Sequence, residues 1–348
     1  MNKILLTEVL SNNNSKIPVW FMRQAGRYMG EYLKERGKHK SFFDMCLDSE
    51  AVKKITLQPL ERFDIDAAII FSDILIIPFA LGLDINFIKG EGPVFSEKNL
   101  EDRIIKLEKE EINKNVYEKV YEGIRKTKEE IDLNFKDKAL IGFAGSPFTI
   151  MCYIMEGKGS RDFNDVKQYY FNNKKKFVYL QNIIKKETIR YLKGKIDSGV
   201  EVIKLFDSWS GVLAEEEFEE LVIKPTIEIK EALKEYNKNI IINAFPKGSG
   251  VKYKRFVEEV KPDIISIDHT MPKEWVRDNL QHLSVIQGNL DNTILAAENS
   301  DMEKIVNDIL NVFSKGRFIF NLGHGILPCT NVKKVENLIT LIKKYDRK

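Results

Sequence analysis

The sequence predicts an α/β protein whose elements close into a single (β/α)8 TIM barrel. Short apolar runs alternate with amphipathic stretches of helical period, which is the pattern of a parallel sheet covered by helices. Each run is nearly continuous in apolar residues, as strands buried on both faces are. Eight such repeats within 348 residues favour a closed barrel over an open, doubly wound sheet. The predicted strands are residues 17–23, 67–73, 139–145, 202–207, 239–245, 264–268, 284–289 and 318–323.

Helices are predicted between these strands. Apolar residues recur every four positions over 112–124, with lysine and glutamate between them, and 174–196 and 215–236 have the same pattern. The charged segment 97–138 is expected to hold two helices as a solvated decoration of the barrel rather than a binding tail. No linker rich in proline, glycine or serine divides the chain, so residues 1–348 are predicted to form one domain.

Composition excludes several classes of protein. The formal net charge is only +3, from 55 basic and 52 acidic residues, which argues against nucleic-acid binding by bulk charge. Cys46, Cys152 and Cys329 lie far apart without a CxxC pair, so we expect neither a disulfide framework nor a zinc site. No apolar run approaches the roughly 20 residues of a membrane span, and the N-terminal apolar stretch is too short for a secretory signal. These features favour a cytoplasmic protein with no membrane partner.

Polar residues follow most of the predicted strands at the point where each apolar run ends. In a parallel barrel these carboxyl ends meet on one rim, and the active site lies there. The strand ends therefore predict one shared chemical face rather than scattered surface residues. Its candidate members are Arg23, Asp73, Tyr153, Ser208 and His324.

Arg23 and Arg27 would share one face if the segment after the first strand were helical. Like charges at that spacing repel by roughly 0.2–0.5 kcal/mol, a cost that a bound polyanion would reverse. Arginine suits this role because its planar fork can bond both oxygens of a carboxylate. Arg36 follows about two helical turns later. The alternative is that these arginines form surface ion pairs with Glu31 or Glu35, and spacing alone leaves both open.

Asp73 ends the apolar run IIFSD and is followed by a second one, so its carboxylate should be partly desolvated and need a partner. It is either a structural acid that caps a turn together with Ser72, or an anionic acceptor for the N–H groups or positive charge of a ligand. His324 lies in NLGHG, where the flanking glycines allow a sharp turn and close approach to a ligand. A loop histidine facing the core is the alternative there.

The residues alone thus predict a barrel mouth with arginines at its rim, one buried acid, hydroxyls and aromatic side chains. This combination suits a polyanionic organic ligand with an apolar centre, although it names no reaction. Phe206 is a candidate for the apolar floor, where ordinary core packing is the alternative. No phosphate-binding glycine loop or nucleophile elbow is present in the right context.

At these residues the chain resembles the uroporphyrinogen decarboxylase family. The matching stretches are PVWFMRQAGRY, ITLQPLERFDIDAAIIFSDIL, GFAGSPFTIMCYIMEGKGS, FDSW, QGNLD and NLGHGILP. They occur in the order of the family and extend over nearly the whole chain. The resemblance implies a single-domain (β/α)8 barrel, usually a homodimer, that works without metal or organic cofactor.

The resemblance also implies roles for individual residues. Arg23 and Arg27 would bind carboxylates of the substrate uroporphyrinogen with help from Arg36, and Asp73 would accept hydrogen bonds from the pyrrole N–H groups. Tyr153, Ser208 and His324 would contact the acidic side chains, and Phe206 would pack against the ring. Asp73 and Arg23 are the candidate catalytic residues.

The implied reaction is loss of CO2 from the four acetate side chains of uroporphyrinogen III, which gives coproporphyrinogen III. Two alternatives remain at this point. One is a barrel methyltransferase acting on corrinoids or thiols, whose typical zinc ligands near the C-terminus are not found in this sequence. The other is a non-catalytic tetrapyrrole carrier, which enzymatic turnover would exclude.

Overall fold

A curled sheet of seven parallel strands lies at the centre of the computed structural model, within the described residues 3–11, 15–88, 90–160 and 162–347. A separate antiparallel hairpin is formed by β2 (Ile85–Ile88) and β3 (Gly92–Phe95). The strands of the main sheet, in their spatial order, are β1 (Ala67–Ile69), β4 (Ala139–Gly145), β5 (Val202–Asp207), β6 (Ile241–Pro246), β7 (Ile264–Ser266), β8 (Val285–Leu290) and β9 (Phe318–Leu322).

The strands predicted second to eighth are confirmed in position and direction. Each pairs in parallel with its neighbour, as β5 does with β6 from Val202 opposite Ile241 to Asp207 opposite Pro246. Every residue of β4, β6 and β8 is buried, because helices cover the outer face of the sheet and packed side chains fill the space inside its curve. β1 and β7 are shorter than predicted.

The prediction of a first strand over 17–23 is wrong in its extent. The segment forms a single parallel bridge, between Val19 and Phe320. Its backbone still bonds on both sides, since the Asp66 N–H donates to the Val19 carbonyl at 2.8 Å and the Phe320 N–H donates to the Pro18 carbonyl at 2.8 Å. Pro18 has no N–H to donate, and the chain enters a turn at residue 22, so a longer ladder cannot form.

Side chains fill the interior of the curved sheet in layers. An apolar layer includes Trp20, Val202, Ile241 and Val285, and Leu5 and Val9 of the first helix belong to the same cluster. Two residues further along each strand lies a buried polar layer, because alternate residues point to the same face. Its members are Lys204, Asn243, Ser266 and Gln287, linked by hydrogen bonds such as Lys204 Nζ to Ser266 Oγ at 2.6 Å.

Helices surround the sheet. The first group is α1 (Ile4–Leu10), α2 (Gly30–Arg36), α3 (Phe42–Cys46), α4 (Ser49–Arg62), α5 (Ile76–Ala80), α6 (Leu100–Glu108), α7 (Lys114–Asn134), α8 (Pro147–Glu156) and α9 (Asn164–Asn172). The second group is α10 (Lys174–Asp197), α11 (Glu215–Phe218), α12 (Lys224–Tyr236), α13 (Lys252–Val260), α14 (Lys273–Asn279), α15 (Thr293–Ala296), α16 (Met302–Phe313) and α17 (Val332–Lys344). Across the described residues, none of these helices combines the length and apolar character needed to cross a membrane.

Most helix predictions are confirmed. The segment 97–138 holds α6 and α7, and α10 matches 174–196 closely. The segment 215–236 is helical too, but a π-helical turn at Glu219–Ile223 separates α11 from α12. α7 is more than a solvated decoration, since Gly123 lies against Val52 of α4 so closely that a Cβ would come within 2.8 Å of Val52 Cγ1.

Candidate active site

The predicted strand-end residues lie on the segments that leave the carboxyl ends of the sheet. Asp73 follows β1, Tyr153 lies on α8 after β4, and Ser208 directly follows β5. His324 follows β9, and Arg23 follows the bridged segment at residue 19. All five residues keep some exposure to solvent rather than belong to the core, and the region that they border at this end of the sheet is called the opening below.

Asp73 is held in a tight turn at this opening. Its Oδ1 accepts a hydrogen bond from the Leu75 N–H at 2.8 Å, which confirms a turn-capping role for one oxygen. Burial raises the pKa of Asp73 to about 6, while the Leu75 N–H and the positive charge of Arg23 limit the rise. Ser72 does not share the cap, because its hydroxyl lies 3.5 Å from the Tyr191 hydroxyl. At neutral pH the opening therefore contains a largely desolvated carboxylate.

Arg23 adopts a left-handed backbone conformation, with φ of 58°. The turn spans residues 22–29, so the expected helical face shared by Arg23 and Arg27 is wrong, and α2 begins only at Gly30. The aliphatic part of the Arg23 side chain passes Gly325, where a Cβ would lie 2.5 Å from Arg23 Cδ. Glycine next to His324 is thus needed to admit Arg23.

The ion-pair alternative for the arginines is contradicted within the described part of the chain. Glu31 pairs with Arg62 at 2.6 Å, which removes it as a partner for the site. Glu35 pairs with two lysines, Lys38 at 2.8 Å and Lys54 at 2.7 Å. No described carboxylate lies within salt-bridge distance of the three arginines in question, Arg23, Arg27 and Arg36.

Arg23, Arg27 and Arg36 all lie near the buried Tyr32. Burial raises the pKa of Tyr32, and the charges of Arg36 and Arg27 oppose that rise more than the charge of Arg23 does. Arg36 donates to the His39 carbonyl at 3.0 Å, which fixes its guanidinium at the end of α2. All three arginines act on the pKa of Tyr32, and Arg23 also acts on the pKa of Asp73.

Tyr153 borders the opening beside Asp73. Burial, reinforced by the negative charge of Asp73, raises the pKa of Tyr153 to about 12, so its hydroxyl stays protonated. Its ring meets the edge of Trp209 at a centroid distance of 6.0 Å, and Trp209 packs on Phe163 at 4.7 Å. Ser208 precedes Trp209 and is partly exposed at the same end of β5.

Phe206 lies on β5, two residues beyond Lys204, in the interior layer that follows the buried polar layer. Its ring meets Phe143 edge-on at 5.4 Å and Phe245 at 6.5 Å. Lys204 Nζ lies 5.1 Å from the Phe206 ring centre, on the side of the sheet interior. The Phe206 ring therefore packs on the core and keeps some exposure to solvent, and its role as an apolar floor for a ligand stays a prediction.

His324 is held as a neutral imidazole. Burial, reinforced by the positive charges of Arg23 and Lys247, lowers the pKa of His324 to about 3. The neighbouring Gly323 lies against the segment that follows β7, since a Cβ there would come within 2.3 Å of the His269 backbone nitrogen. His324 can therefore offer a hydrogen bond at neutral pH but carries no charge while the site is empty.

Two further features of the site escaped the sequence analysis. The Thr149 hydroxyl donates to Asp207 Oδ1 at 2.5 Å and accepts from the backbone N–H of Trp209 at 3.2 Å. Burial raises the pKa of Asp207 to about 7, and its Oδ2 has no hydrogen-bond partner among the described residues. Lys247, at the end of β6, is the second feature. Its position after a predicted strand was the signal that could have identified it.

The site's donor set suits an anion more than a metal ion. Across the described residues, no three or more histidine, cysteine, aspartate or glutamate side chains are grouped so that they could hold a metal. Unpaired guanidinium groups, a neutral imidazole and a desolvated carboxylate can bind carboxylates at the edge and a positive charge at the centre.

Sequence comparison gives a consistent family assignment. The family model described as uroporphyrinogen decarboxylase (URO-D) matches residues 2–345. A uroporphyrinogen decarboxylase from Rickettsia conorii is 45% identical over 340 residues, covering 97% of this chain and 96% of its own. One from Rickettsia bellii is 43% identical and covers 99% of both chains.

Solved structures of low sequence identity share the fold. A methyltransferase from Methanosarcina mazei superposes with a TM-score of 0.75 at 15% identity, over 97% of this chain and 96% of its own. A B12-independent methionine synthase from Shewanella superposes with a TM-score of 0.51 at 13% identity, over 94% of both chains. At these identities the likeness extends to the fold alone.

Proposed function

The chain belongs to the uroporphyrinogen decarboxylase family, and we propose that its opening binds uroporphyrinogen III and removes CO2 from the four acetate side chains to give coproporphyrinogen III. The observation that carries the proposal is the desolvated carboxylate of Asp73 beside the unpaired Arg23. The substrate has the same arrangement in reverse, with pyrrole N–H groups at its centre and carboxylates around its edge.

The chemistry requires a place for the electrons of the broken bond. A pyrrole ring carbon accepts a proton and the ring becomes a cation. The bond between the acetate CH2 and its carboxylate then breaks, and the electron pair of that bond neutralises the cation. CO2 departs, and the CH2 remains on the ring as an exocyclic methylene group. A proton added to the methylene makes the methyl group, and loss of the first proton restores the pyrrole. The substrate thus supplies its own electron sink, so no organic cofactor or metal is proposed.

In this proposal Asp73 accepts hydrogen bonds from the pyrrole N–H groups and stabilises the ring cation, because a preorganised charge acts strongly in a desolvated site. Arg23 binds a carboxylate at the reacting side chain and Arg27 and Arg36 bind others at the rim. Tyr153, Ser208 and His324 hydrogen-bond acidic side chains, and Phe206 packs on the macrocycle. Arginine is a poor proton donor at its ordinary pKa, so Arg23 contributes mainly by binding and orientation.

We also propose that residues 18–20 take the place of an eighth strand and close the barrel. Their hydrogen bonds to Asp66 on one side and Phe320 on the other support this. By resemblance to the family, the whole chain forms one domain and two copies form a homodimer. A cytoplasmic location is proposed as well, since Cys46, Cys152 and Cys329 are free thiols and suit a reducing compartment.

The methyltransferase alternative rests on likeness of fold, which does not transfer an activity. Its zinc chemistry predicts stoichiometric zinc in the purified protein, whereas the decarboxylase proposal predicts none. A tetrapyrrole carrier would bind uroporphyrinogen and leave it unchanged.

The deciding experiment is anaerobic incubation of the purified protein with enzymatically generated uroporphyrinogen III, followed by chromatography of the oxidised products. The proposal predicts porphyrins with seven, six, five and finally four carboxyl groups. Recovery of the eight-carboxyl porphyrin alone, from protein that is folded, would contradict it.

A further inference from the structure

Lys247 lies at the carboxyl end of β6, outside the set of residues that the family resemblance assigns to the site. We propose that Lys247 is a further substrate-binding residue, whose ammonium group binds an acidic side chain of the porphyrinogen on the Trp209 side of the opening. The inference rests on the proposed function and deepens it.

The backbone of Lys247 is fixed from both sides. Its N–H donates to the Asp207 carbonyl at 3.0 Å, and its carbonyl accepts from the Ser210 hydroxyl at 3.3 Å. The next residue, Gly248, has φ of 76° and donates its N–H to Asp268 Oδ2 at 2.8 Å. A loop that is anchored at three points in succession directs one side chain reproducibly, as a binding residue requires.

The side chain of Lys247 extends toward the residues of the site. Its Nζ lies 5.9 Å from the centre of the Trp209 ring, and Trp209 is the ring that meets Tyr153. The positive charge of Lys247 also lowers the pKa of His324, although burial and the charge of Arg23 lower it more. Lys247 therefore lies on the same opening as Arg23 and His324, on the wall formed by β5 and β6.

The ammonium group has no partner of its own. No described carboxylate forms a salt bridge with it, and no described acceptor lies within hydrogen-bond distance of Nζ. Burial lowers the pKa of Lys247, Asp268 opposes this, and the positive charge of Arg23 adds to the lowering. Asp268 acts on Lys247 only through space and not as a hydrogen-bond partner, since its oxygens accept from Gly248, Tyr253 and Thr270. A partly buried, unpaired cation beside a second one is expensive, and a bound carboxylate removes the cost.

Lys252 provides a contrast five residues away. It too is partly buried over an aromatic ring, with Nζ 5.0 Å from the centre of Phe218, and burial lowers its pKa. Its Nζ is satisfied, however, because it donates to the Leu213 carbonyl. Lys252 therefore has a structural explanation that Lys247 lacks, and the two residues make a matched pair for mutagenesis.

The experiment compares steady-state turnover of uroporphyrinogen III by the full chain with Lys247→Met, Lys247→Gln, Lys247→Arg and Lys252→Met. We expect Lys247→Met and Lys247→Gln to raise KM about 10- to 100-fold while kcat stays within about threefold. Lys247→Arg should recover most of the affinity, and Lys252→Met should keep the wild-type KM. Thermal unfolding of each variant identifies any that fail to fold, in which case the other neutral substitution decides.

The dependence of KM on pH gives a readout that a structural role would not move. The wild-type KM should rise at alkaline pH as the ammonium group loses its proton, and this rise should vanish in Lys247→Arg, because arginine remains charged. An unchanged KM in both neutral variants, a fall in kcat alone, or an equal effect of Lys252→Met would overturn the inference. An inactive wild type would instead contradict the proposed function, so the two failures are distinguishable.

Discussion

Arg23 and Asp73 border the same opening without forming a salt bridge. The guanidinium is close enough to limit the rise in the pKa of Asp73 that burial causes, yet the two side chains are not within ion-pair distance. Each therefore keeps hydrogen-bonding capacity for a ligand. A substrate with N–H donors at its centre and anionic edges satisfies both, and a direct ion pair would compete with it.

Replacing Arg23 or Arg27 with alanine should weaken substrate handling far more than stability. A charged hydrogen bond contributes about 1.5–3 kcal/mol, so kcat/KM should fall about 10- to 150-fold, and lysine should restore only part because it lacks the planar fork. Steady-state kinetics beside thermal unfolding measures this. Arg62→Ala is the control, since Arg62 already pairs with Glu31 at the surface and its loss should change little. Normal turnover by the alanine variants, or loss through unfolding alone, would make the pair structural.

Activity should have an acid limb set by Asp73. Burial raises the pKa of the Asp73 carboxyl to about 6 in the empty site, and only the ionised form can stabilise a cation. The value of kcat/KM should therefore fall tenfold per pH unit below about 6. A pH profile in constant ionic strength, with circular dichroism confirming folded protein at each point, tests this. A flat profile down to pH 5 would mean that the charge of Asp73 is not required.

His324 should remain neutral throughout the physiological range in the empty protein. Burial is the main reason for its depressed pKa, and the nearby cations reinforce it. Isotope-edited NMR of the four histidines, with His324→Asn to assign the resonance, should find no titration of His324 between pH 5 and 8. A midpoint near the ordinary value of 6.5 would show an open and solvated imidazole.

Turnover should not depend on a metal ion. The three cysteines are scattered along the sequence and the histidines have no ligand spacing. Exhaustive chelation followed by dialysis should leave full activity. A stoichiometric metal whose removal abolishes turnover, and whose return restores it, would overturn this prediction.

Much of the fold was predictable because parallel strands are specified by continuous apolar runs. The runs ending near Asp73, Asp207 and Asp268 contain little else, and all three correspond to strands or strand ends. The segment around Val19 has the same composition and forms one bridge, because the proline beside it and the turn after it limit pairing. The proline and the turn limit backbone pairing in the folded chain, and neither changes the run of apolar residues from which the strand was predicted.

That the candidate residues gather at one end of the sheet was predictable, but their arrangement there was not. Strand ends identified Asp73, Tyr153 and His324, whose neighbourhood the pKa shifts reflect. Spacing suggested that Arg23 and Arg27 share a helical face, whereas Arg23 has a left-handed backbone that no residue pattern indicates. The partners of Glu31 and Glu35 come from α4 and from Lys38, just after α2, so only the fold could exclude the ion-pair alternative.

Replacement of Asp73 by asparagine is the sharpest test of the role proposed for this carboxylate, because it removes the charge and keeps the shape. The raised pKa means that the folded state binds the proton more tightly than the unfolded state, so ionisation of Asp73 reduces stability as pH rises from about 4 to about 6. Asp73→Asn should therefore be at least as stable as the wild type at pH 7. Its kcat with uroporphyrinogen III, measured anaerobically beside thermal unfolding, should fall about 10²- to 10³-fold. A folded Asp73→Asn protein with near-normal turnover would contradict the central claim.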